Sequence, residues 1–181
     1  MNAVNFLIDT VFDLYLMVVL LRVWLQLARA DFYNPFSQFI VKATQPVVAP
    51  LRRIIPGFGG LDVATLLFAL VIAAAKILTL TMVFNYPVVP IAILIQALLV
   101  LLSAVFNLVF WVLVIRAVLS WVSQGRHPIE AVMIQLTEPL LSPIRRVIPS
   151  LGGLDLSMLV LLLGLQFFEK LVLGFIAQLL G

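Results

Sequence analysis

The sequence predicts an all-α polytopic membrane protein whose four transmembrane helices form two parallel repeats. Hydrophobic residues make up 64% of the 181 positions and charged residues 10%, whereas a soluble domain has about 45–50% apolar and about 25% charged residues. The chain therefore has too little polar surface to cover a globule in water. In addition, residues 44–62 recur without a gap at residues 137–155, with 11 of the 19 positions identical. This recurrence indicates a tandem duplication.

The duplicated segment is defined by residues that hydrophobic bias alone would not match. Each position recurs 93 residues later (137 − 44), which places the first repeat at residues 1–90 and the second at residues 91–181. The shared residues other than Ile and Leu are Thr44, Pro46, Pro50, Pro56, Gly59, Gly60 and Asp62 in the first copy, Thr137, Pro139, Pro143, Pro149, Gly152, Gly153 and Asp155 in the second, and the arginine pairs Arg52-Arg53 and Arg145-Arg146.

Four apolar runs are long enough to cross a hydrocarbon core of about 30 Å. They cover residues 6–27, 61–84, 91–121 and 154–180. The first run precedes Ala28-Arg29-Ala30, which resembles a signal-peptidase site. No Lys or Arg precedes the run, however, and the run has a counterpart later in the chain, so we expect a retained helix. The third run is longer than one span and too short for two, so its helix begins at residue 91 or near residue 97.

A short amphipathic helix is predicted to follow the first span of each repeat. Pro35 and Pro128 fit the first helical position, and the apolar spacing that follows suits a helix in the membrane interface. We expect these helices to end at Pro46 and Pro139, because the residue before a proline disfavours helix. The Pro-x-Arg-Arg-x-Ile-Pro segment is then predicted to be a loop in extended or turn geometry.

The Gly-Gly pair at the end of each duplicated segment gives the chain conformational freedom just before an aspartate. Asp62 and Asp155 directly precede the second apolar run of each repeat. A carboxylate at this position accepts hydrogen bonds from the free amides of the first helical turn. We therefore predict that both aspartates are N-caps.

The distribution of basic residues predicts the orientation. Residues 28–60 and 122–153 hold Lys and Arg, whereas the 85–96 turn and the tail beyond Lys170 carry none. By the positive-inside rule both Arg-Arg loops are cytoplasmic and both termini lie on the opposite side. We expect a multi-pass protein of the bacterial cytoplasmic (inner) membrane, with the repeats related by an axis along the membrane normal. The positive charge thus concerns topology rather than nucleic acid.

The duplicated motif resembles that of the YggT family of small integral membrane proteins. The resemblance rests on an arginine at the end of the first span and on Thr-[Glu/Gln]-Pro-x-x-x-Pro-[Ile/Leu]-Arg-Arg-x-Ile-Pro-x-x-Gly-Gly-Leu-Asp in both copies. Copy one departs at Gln45, where Glu is more usual, and at Ala64, where copy two has Ser157. The resemblance implies a role in assembling membrane complexes, in division or cytochrome maturation, or in osmotic stress. It supplies no catalytic residue.

The arginine pairs are the first candidate site. Arg52, Arg53, Arg145 and Arg146 stand between the amphipathic helices and the second spans, where helix dipoles also favour anions. They fit three roles: topology determinants, contacts to lipid phosphates, or docking of an acidic protein.

A cluster of charges within the membrane is the second candidate. Asp9, Asp13, Lys76, Glu169 and Lys170 fall at a similar depth, because helices rise about 1.5 Å per residue. Charges in hydrocarbon cost roughly 2.5–3.5 kcal/mol each and usually pair or face the bundle interior. We predict that Lys76 pairs with Asp9 or Asp13, with Glu169 and Lys170 nearby. Snorkelling of the lysines and an ion or proton path are the alternatives.

The composition argues against an enzyme. The chain has no cysteine and one histidine, His127, which excludes disulfides, thiolate catalysis and zinc sites built by one copy. Aspartyl proteolysis needs carboxylates converging from two helices, whereas Asp9 and Asp13 are four residues apart on one helix. We expect no catalytic residue, no cofactor and no metal.

The sequence thus leads to two functional hypotheses. The leading one is a non-enzymatic factor that organises or assembles a membrane complex through its cytoplasmic loops. The competing one is a small ion or solute channel or transporter in the osmotic stress response, which four helices would form most readily as a homo-oligomer. The expected partners are membrane lipids and a membrane protein, and not nucleic acid.

Overall fold

Helices make up most of the chain. The computed structural model describes residues 2–58, 60–122, 127–148 and 156–180. Within these ranges the secondary structure is helical, apart from connecting turns and an isolated bridge between Phe58 and Leu61. In chain order the helices are α1 (Ala3–Leu27), α2 (Pro35–Ile54), α3 (Val63–Val83), α4 (Pro90–Val122), α5 (Pro128–Val147) and α6 (Leu156–Leu180).

Four of these helices, α1, α3, α4 and α6, are long and apolar enough to cross a membrane. The prediction of an all-α fold with four spans is confirmed. The uncertain third span begins at Pro90 and forms one helix of 33 residues, so residues 91–96 are helical. At about 1.5 Å per residue this helix is longer than the hydrocarbon core, and it must tilt or project from the membrane.

The predicted ends of the amphipathic helices are wrong. Helices α2 and α5 each have 20 residues and contain the prolines at which we expected them to stop. They run on through both arginine pairs, so the predicted Pro/Arg-rich loop is the last turns of a helix. The amphipathic character and the first helical residues, Pro35 and Pro128, are as expected.

The first of two compact units comprises residues 1–27 and 39–105. In it α1 packs against α3. Leu16, Val19 and Val23 of α1 are buried, and so are the small residues Ala69 and Ala73 of α3. Small residues let two membrane helices approach closely, which explains why this pair forms the core of the unit.

The second compact unit comprises residues 28–38 and 106–181. Here α5 packs against α6, and the rings of Phe106 and Phe168 lie 6.1 Å apart between α4 and α6. The connector after α1 also belongs to this unit, because Asn34 Nδ2 donates to the Pro128 carbonyl at 2.8 Å. The boundary predicted at residue 90 divides the two sequence repeats, whereas these two units are defined by packing. The repeat boundary therefore stays a prediction.

Candidate functional site

A buried arginine joins the first span to the amphipathic helix in the first repeat. Arg22, near the end of α1, is only 4% exposed. Its Nη1 donates to Thr44 Oγ1 at 2.6 Å and to the Val41 carbonyl at 3.3 Å, and its Nη2 donates to Gln45 Oε1 at 2.7 Å. These three acceptors satisfy a charge that would otherwise be costly to bury, so Arg22 fixes α2 against α1.

The second repeat has the same device. Arg116 of α4 is 8% exposed; its Nη1 donates to Thr137 Oγ1 and its Nη2 to Glu138 Oε2 at 3.0 Å. The arginine and threonine are 22 residues apart in the first copy and 21 in the second. Because the contact forms despite this difference in length, it is a feature of the repeat. We call these two arrangements the arginine anchors.

The threonines of the anchors also bond within their own helices. Thr44 Oγ1 donates to the Ile40 carbonyl at 2.8 Å, and Thr137 Oγ1 donates to the Met133 carbonyl at 2.6 Å. A proline frees the carbonyl four residues before it, so these hydrogen bonds lie on the turn just before the freed carbonyl. Each threonine thus connects the buried arginine to the backbone of the turn that precedes the first proline.

The first arginine of each pair is used inside the fold. Arg52 binds Asp62 through Nε at 3.0 Å and through Nη2, and its Nη2 also donates to Gln26 Oε1 at 2.9 Å. Arg145 Nη1 donates to Glu138 Oε1 at 2.8 Å. Glu138 therefore bridges Arg116 and Arg145, whereas the first copy has the neutral Gln45 at the matching position.

Both acidic partners are held in their charged form. Burial by itself would raise the pKa of the Asp62 carboxyl, but hydrogen bonds from Arg52 and Thr65 outweigh it and hold the pKa below its usual value. Burial would likewise raise the pKa of the Glu138 carboxyl, but Arg116 and Arg145 outweigh it and hold this pKa below its usual value. Both groups are thus carboxylates at neutral pH.

Asp62 is the N-cap of α3, as predicted, and its side chain accepts from Thr65 N at 3.2 Å. A turn in which Phe58 and Leu61 exchange backbone hydrogen bonds leads into this cap. Gly60 of the turn has a φ of +85°, a conformation that glycine adopts without strain. The other predicted motif residues Gly59, Pro149, Gly152, Gly153 and Asp155 lie outside the described residues.

The second arginine of each pair has different surroundings. Arg53 and Arg146 are exposed, and neither makes a hydrogen bond or ion pair within the described ranges. Nothing in the sequence pattern distinguishes the two members of a pair. The structure separates them by direction, because adjacent helical residues point about 100° apart.

Lys76 meets both of the partners that the sequence offered for it. Its Nζ lies 2.7 Å from Asp13 Oδ1 and 3.1 Å from Asp9 Oδ1. Asn5 Nδ2 in turn donates to Asp9 Oδ2 at 3.1 Å. We call Asp9, Asp13 and Lys76 the charge triad; it carries a formal charge of −1. The extension of this cluster to Glu169 and Lys170 stays a prediction.

A cavity of about 410 Å³ has in its wall Asn5, the residue that donates to Asp9 of the charge triad. The wall is formed by the N-terminus of α1, the end of α3, the turn that follows it and the start of α4. The lining residues are Asn2, Asn5, Ile77, Leu80, Thr81, Phe84, Tyr86 and Gln96. Several of these side chains are polar, so the cavity suits water or a small polar solute.

Sequence reasoning missed two helix caps. Asn34 Oδ1 accepts from Phe36 N at 3.0 Å, and His127 Nδ1 accepts from Ile129 N at 3.3 Å. A polar residue directly before a proline at the first helical position is a recognised start signal, which Asn34-Pro35 and His127-Pro128 both show. No group of three metal-ligating side chains occurs among the residues that the structure describes.

The fold and the anchors define a multi-pass helical membrane protein built from two tandem repeats. Two segments of the chain, residues 1–83 and 95–176, match the CCB3/YggT family model. The chain therefore belongs to the CCB3/YggT family, and the double match agrees with the duplication seen in the sequence.

The curated relatives share nearly the whole chain. A Vibrio alginolyticus protein described as "Uncharacterized protein in proC 3'region" is 62% identical over 174 residues, which cover 95% of this chain and 94% of the relative. The Escherichia coli K12 "Uncharacterized protein YggT" is 53% identical over 164 residues, covering 90% and 85%. A Pseudomonas aeruginosa protein is 43% identical over 183 residues, covering 99% and 93%. No solved structure matches significantly.

Proposed function

We propose that this protein is a non-enzymatic factor of the bacterial cytoplasmic membrane that organises or assembles a membrane complex. The observation that supports this most directly is the pair of arginine anchors. Each anchor ties an amphipathic helix to a span through a buried guanidinium that donates to side chains of that helix. Helices α2 and α5 are thereby held in fixed positions, as a docking surface requires.

The exposed side of the amphipathic helices supplies a surface for a partner. In α2, Gln38 and Lys42 are exposed, and so is the large apolar side chain of Phe39. Polar and aromatic groups side by side are typical of protein interfaces. By the positive-inside rule this surface faces the cytoplasm.

A non-enzymatic role accords with how the reactive side chains are used. The nitrogen Nδ1 of His127 caps α5, and the two intramembrane aspartates of α1 both bind Lys76. Neither arrangement presents a nucleophile beside a base, which covalent catalysis requires.

Affinity purification from native membranes tests the docking proposal. We expect a reproducible membrane-protein partner to be lost on Gln38→Glu/Lys42→Glu and retained on Arg29→Glu, an exposed charge in the connector outside the helices. Equal recovery of every partner from both variants would contradict docking through α2.

The charge triad and its cavity support a second candidate, a small ion or solute channel or transporter in the osmotic stress response. Charges inside a membrane often mark a transport path, and Asn5 links the cavity to Asp9. Flux of potassium or a small osmolyte into liposomes containing the purified protein is the test. Flux that Lys76→Ala abolishes and Lys42→Ala, at an exposed lysine outside the spans, leaves intact would favour transport over docking.

A further inference from the structure

The described acidic residues around the arginine pairs are already taken by the first arginine of each pair. Asp62 is 4% exposed and binds Arg52. Glu138 binds both Arg116 and Arg145. Arg53 and Arg146 are therefore left as exposed, always-charged groups with five donors each and without an anion from the described part of the chain.

Arg53 and Arg146, which we call the outward arginines, both have exposed apolar residues near them in the chain. Ile54, which follows Arg53, and Phe58, five residues after it, are 79% and 82% exposed, and Val147, which follows Arg146, is 80% exposed. Side chains of this kind are costly in water and favourable in the acyl region below the headgroups. An arginine flanked by them matches a membrane surface better than the surface of a water-soluble acidic protein.

The positions of Arg53 and Arg146 along the chain also fit the depth of the lipid headgroups. Arg53 stands at the end of an amphipathic helix, ten residues before α3 begins at Val63 (63 − 53). Arg146 stands at the end of α5, shortly before α6. A residue between an interfacial helix and a span lies at the level of the lipid phosphates.

We propose that Arg53 and Arg146 each bind the phosphate of one anionic phospholipid. The planar guanidinium forms paired, charge-assisted hydrogen bonds with phosphate oxygens, while the flanking apolar side chains contact the acyl chains. The two members of each arginine pair then have separate roles: the first stabilises the fold and the second holds a lipid. This assignment does not depend on a docked partner, because it uses different residues from those of the docking test.

Native mass spectrometry of the protein in mild detergent tests the proposal by counting bound lipids. With phosphatidylglycerol we expect two tightly held lipids per chain, one fewer in Arg53→Gln and in Arg146→Gln, and neither in the double variant, whose affinity should fall at least about tenfold. Phosphatidylcholine should not replace them. Arg53→Lys/Arg146→Lys should bind at intermediate strength, because lysine keeps the charge but not the fork.

A matched double variant, Arg29→Gln/Lys42→Gln, removes the same number of exposed charges elsewhere and should keep both lipids. The thermal unfolding of each variant in detergent, without added lipid, should equal that of the wild type, because neither arginine makes a polar contact in the described structure. The proposal is overturned if both double variants lose lipid equally, which would indicate attraction by net charge. Displacement of the lipid by millimolar inorganic phosphate, or arginine-dependent binding of a polyglutamate peptide in its place, would also overturn it.

Discussion

At the scale of single residues, charge placement follows from what each charge can bind. Arg52 and Arg53 are adjacent and chemically identical, yet one binds Asp62 and the other faces outward. The sequence could identify the pair as notable but could not assign the two roles, because the contact partner of Arg52 is set by the turn before α3. The pairing of Lys76 was more accessible, since two aspartates at matching depth were visible in α1.

The charge triad should be a major contributor to the stability of the first unit. Replacing Lys76 with Met leaves two carboxylates together without a counter-charge. The side chains of Asp9 and Asp13 are 27% and 43% exposed, so we expect a cost of about 1–3 kcal/mol, below the figure for a fully buried pair. Asp13→Asn should cost less, because Asp9 still binds the lysine. The exchange Lys76→Asp/Asp13→Lys keeps one lysine and two aspartates and should recover part of the loss. Denaturant unfolding in detergent micelles measures these changes.

The control for the triad is Lys42→Met, which removes an exposed lysine outside the spans and should change the unfolding free energy by less than about 0.5 kcal/mol. Equal destabilisation by Lys76→Met and Lys42→Met, or no recovery in the exchanged variant, would show that the triad does not stabilise the fold.

The carboxylate of Asp62 should make stability depend on pH. Its pKa is lowered in the folded protein, so its contribution is fully present above the unfolded pKa, about 3.9. It is lost as the pH falls from there through the lower folded pKa. Asp62→Asn keeps a capping side chain but loses the ion pair, which we expect to cost about 1–2 kcal/mol at neutral pH. The difference between wild type and variant should be constant from pH 5 to 7 and shrink below pH 4; a constant difference throughout would exclude this role.

At the scale of elements, the four spans could be predicted because hydropathy and length are local properties. The extent of α2 and α5 could not be predicted in this way. The residue before a proline disfavours helix, which is a local rule, and here a contact with a distant group overrides it. Arg22 contributes donors from 22 residues away, and no local rule contains that contact. The one sequence feature that pointed to this contact was the arginine near the end of the first span of each repeat.

The threonines of the anchors should matter more than other membrane threonines. Thr44→Val and Thr137→Val keep the volume but remove the hydroxyl that accepts from a buried guanidinium. Each should destabilise by about 2 kcal/mol and make its amphipathic helix easier to cleave with protease. Thr79→Val is the matched control, because Thr79 donates only to the Ala75 carbonyl of its own helix. Its expected effect is below about 0.5 kcal/mol, and a similar loss in all three variants would refute the anchor.

At the scale of the whole molecule, the duplication constrains how the chain lies in the membrane. Each repeat contains two spans, so both copies should enter the bilayer in the same direction, with α2 and α5 on the cytoplasmic side. The anchors support this arrangement unit by unit, because each joins its amphipathic helix to the same end of a first span. An opposite orientation would place Arg29, Lys42 and both arginine pairs on the outer side, against the positive-inside rule.

Because the chain has no cysteine, single cysteines can report this orientation directly. We expect Lys42→Cys and Ala131→Cys, exposed in α2 and α5, to react with a membrane-impermeant maleimide only after the membrane is opened. Tyr86→Cys, in the turn before α4 and 65% exposed, should react in intact spheroplasts. Labelling of positions 42 and 131 from opposite sides would show that the repeats are inverted. In that case α2 and α5 would not both face the cytoplasm, and the two proposed lipid sites would not lie in the same leaflet. Labelling of both from the cytoplasm, with position 86 outside, places the two outward arginines in the leaflet where juxtamembrane basic residues meet anionic lipid.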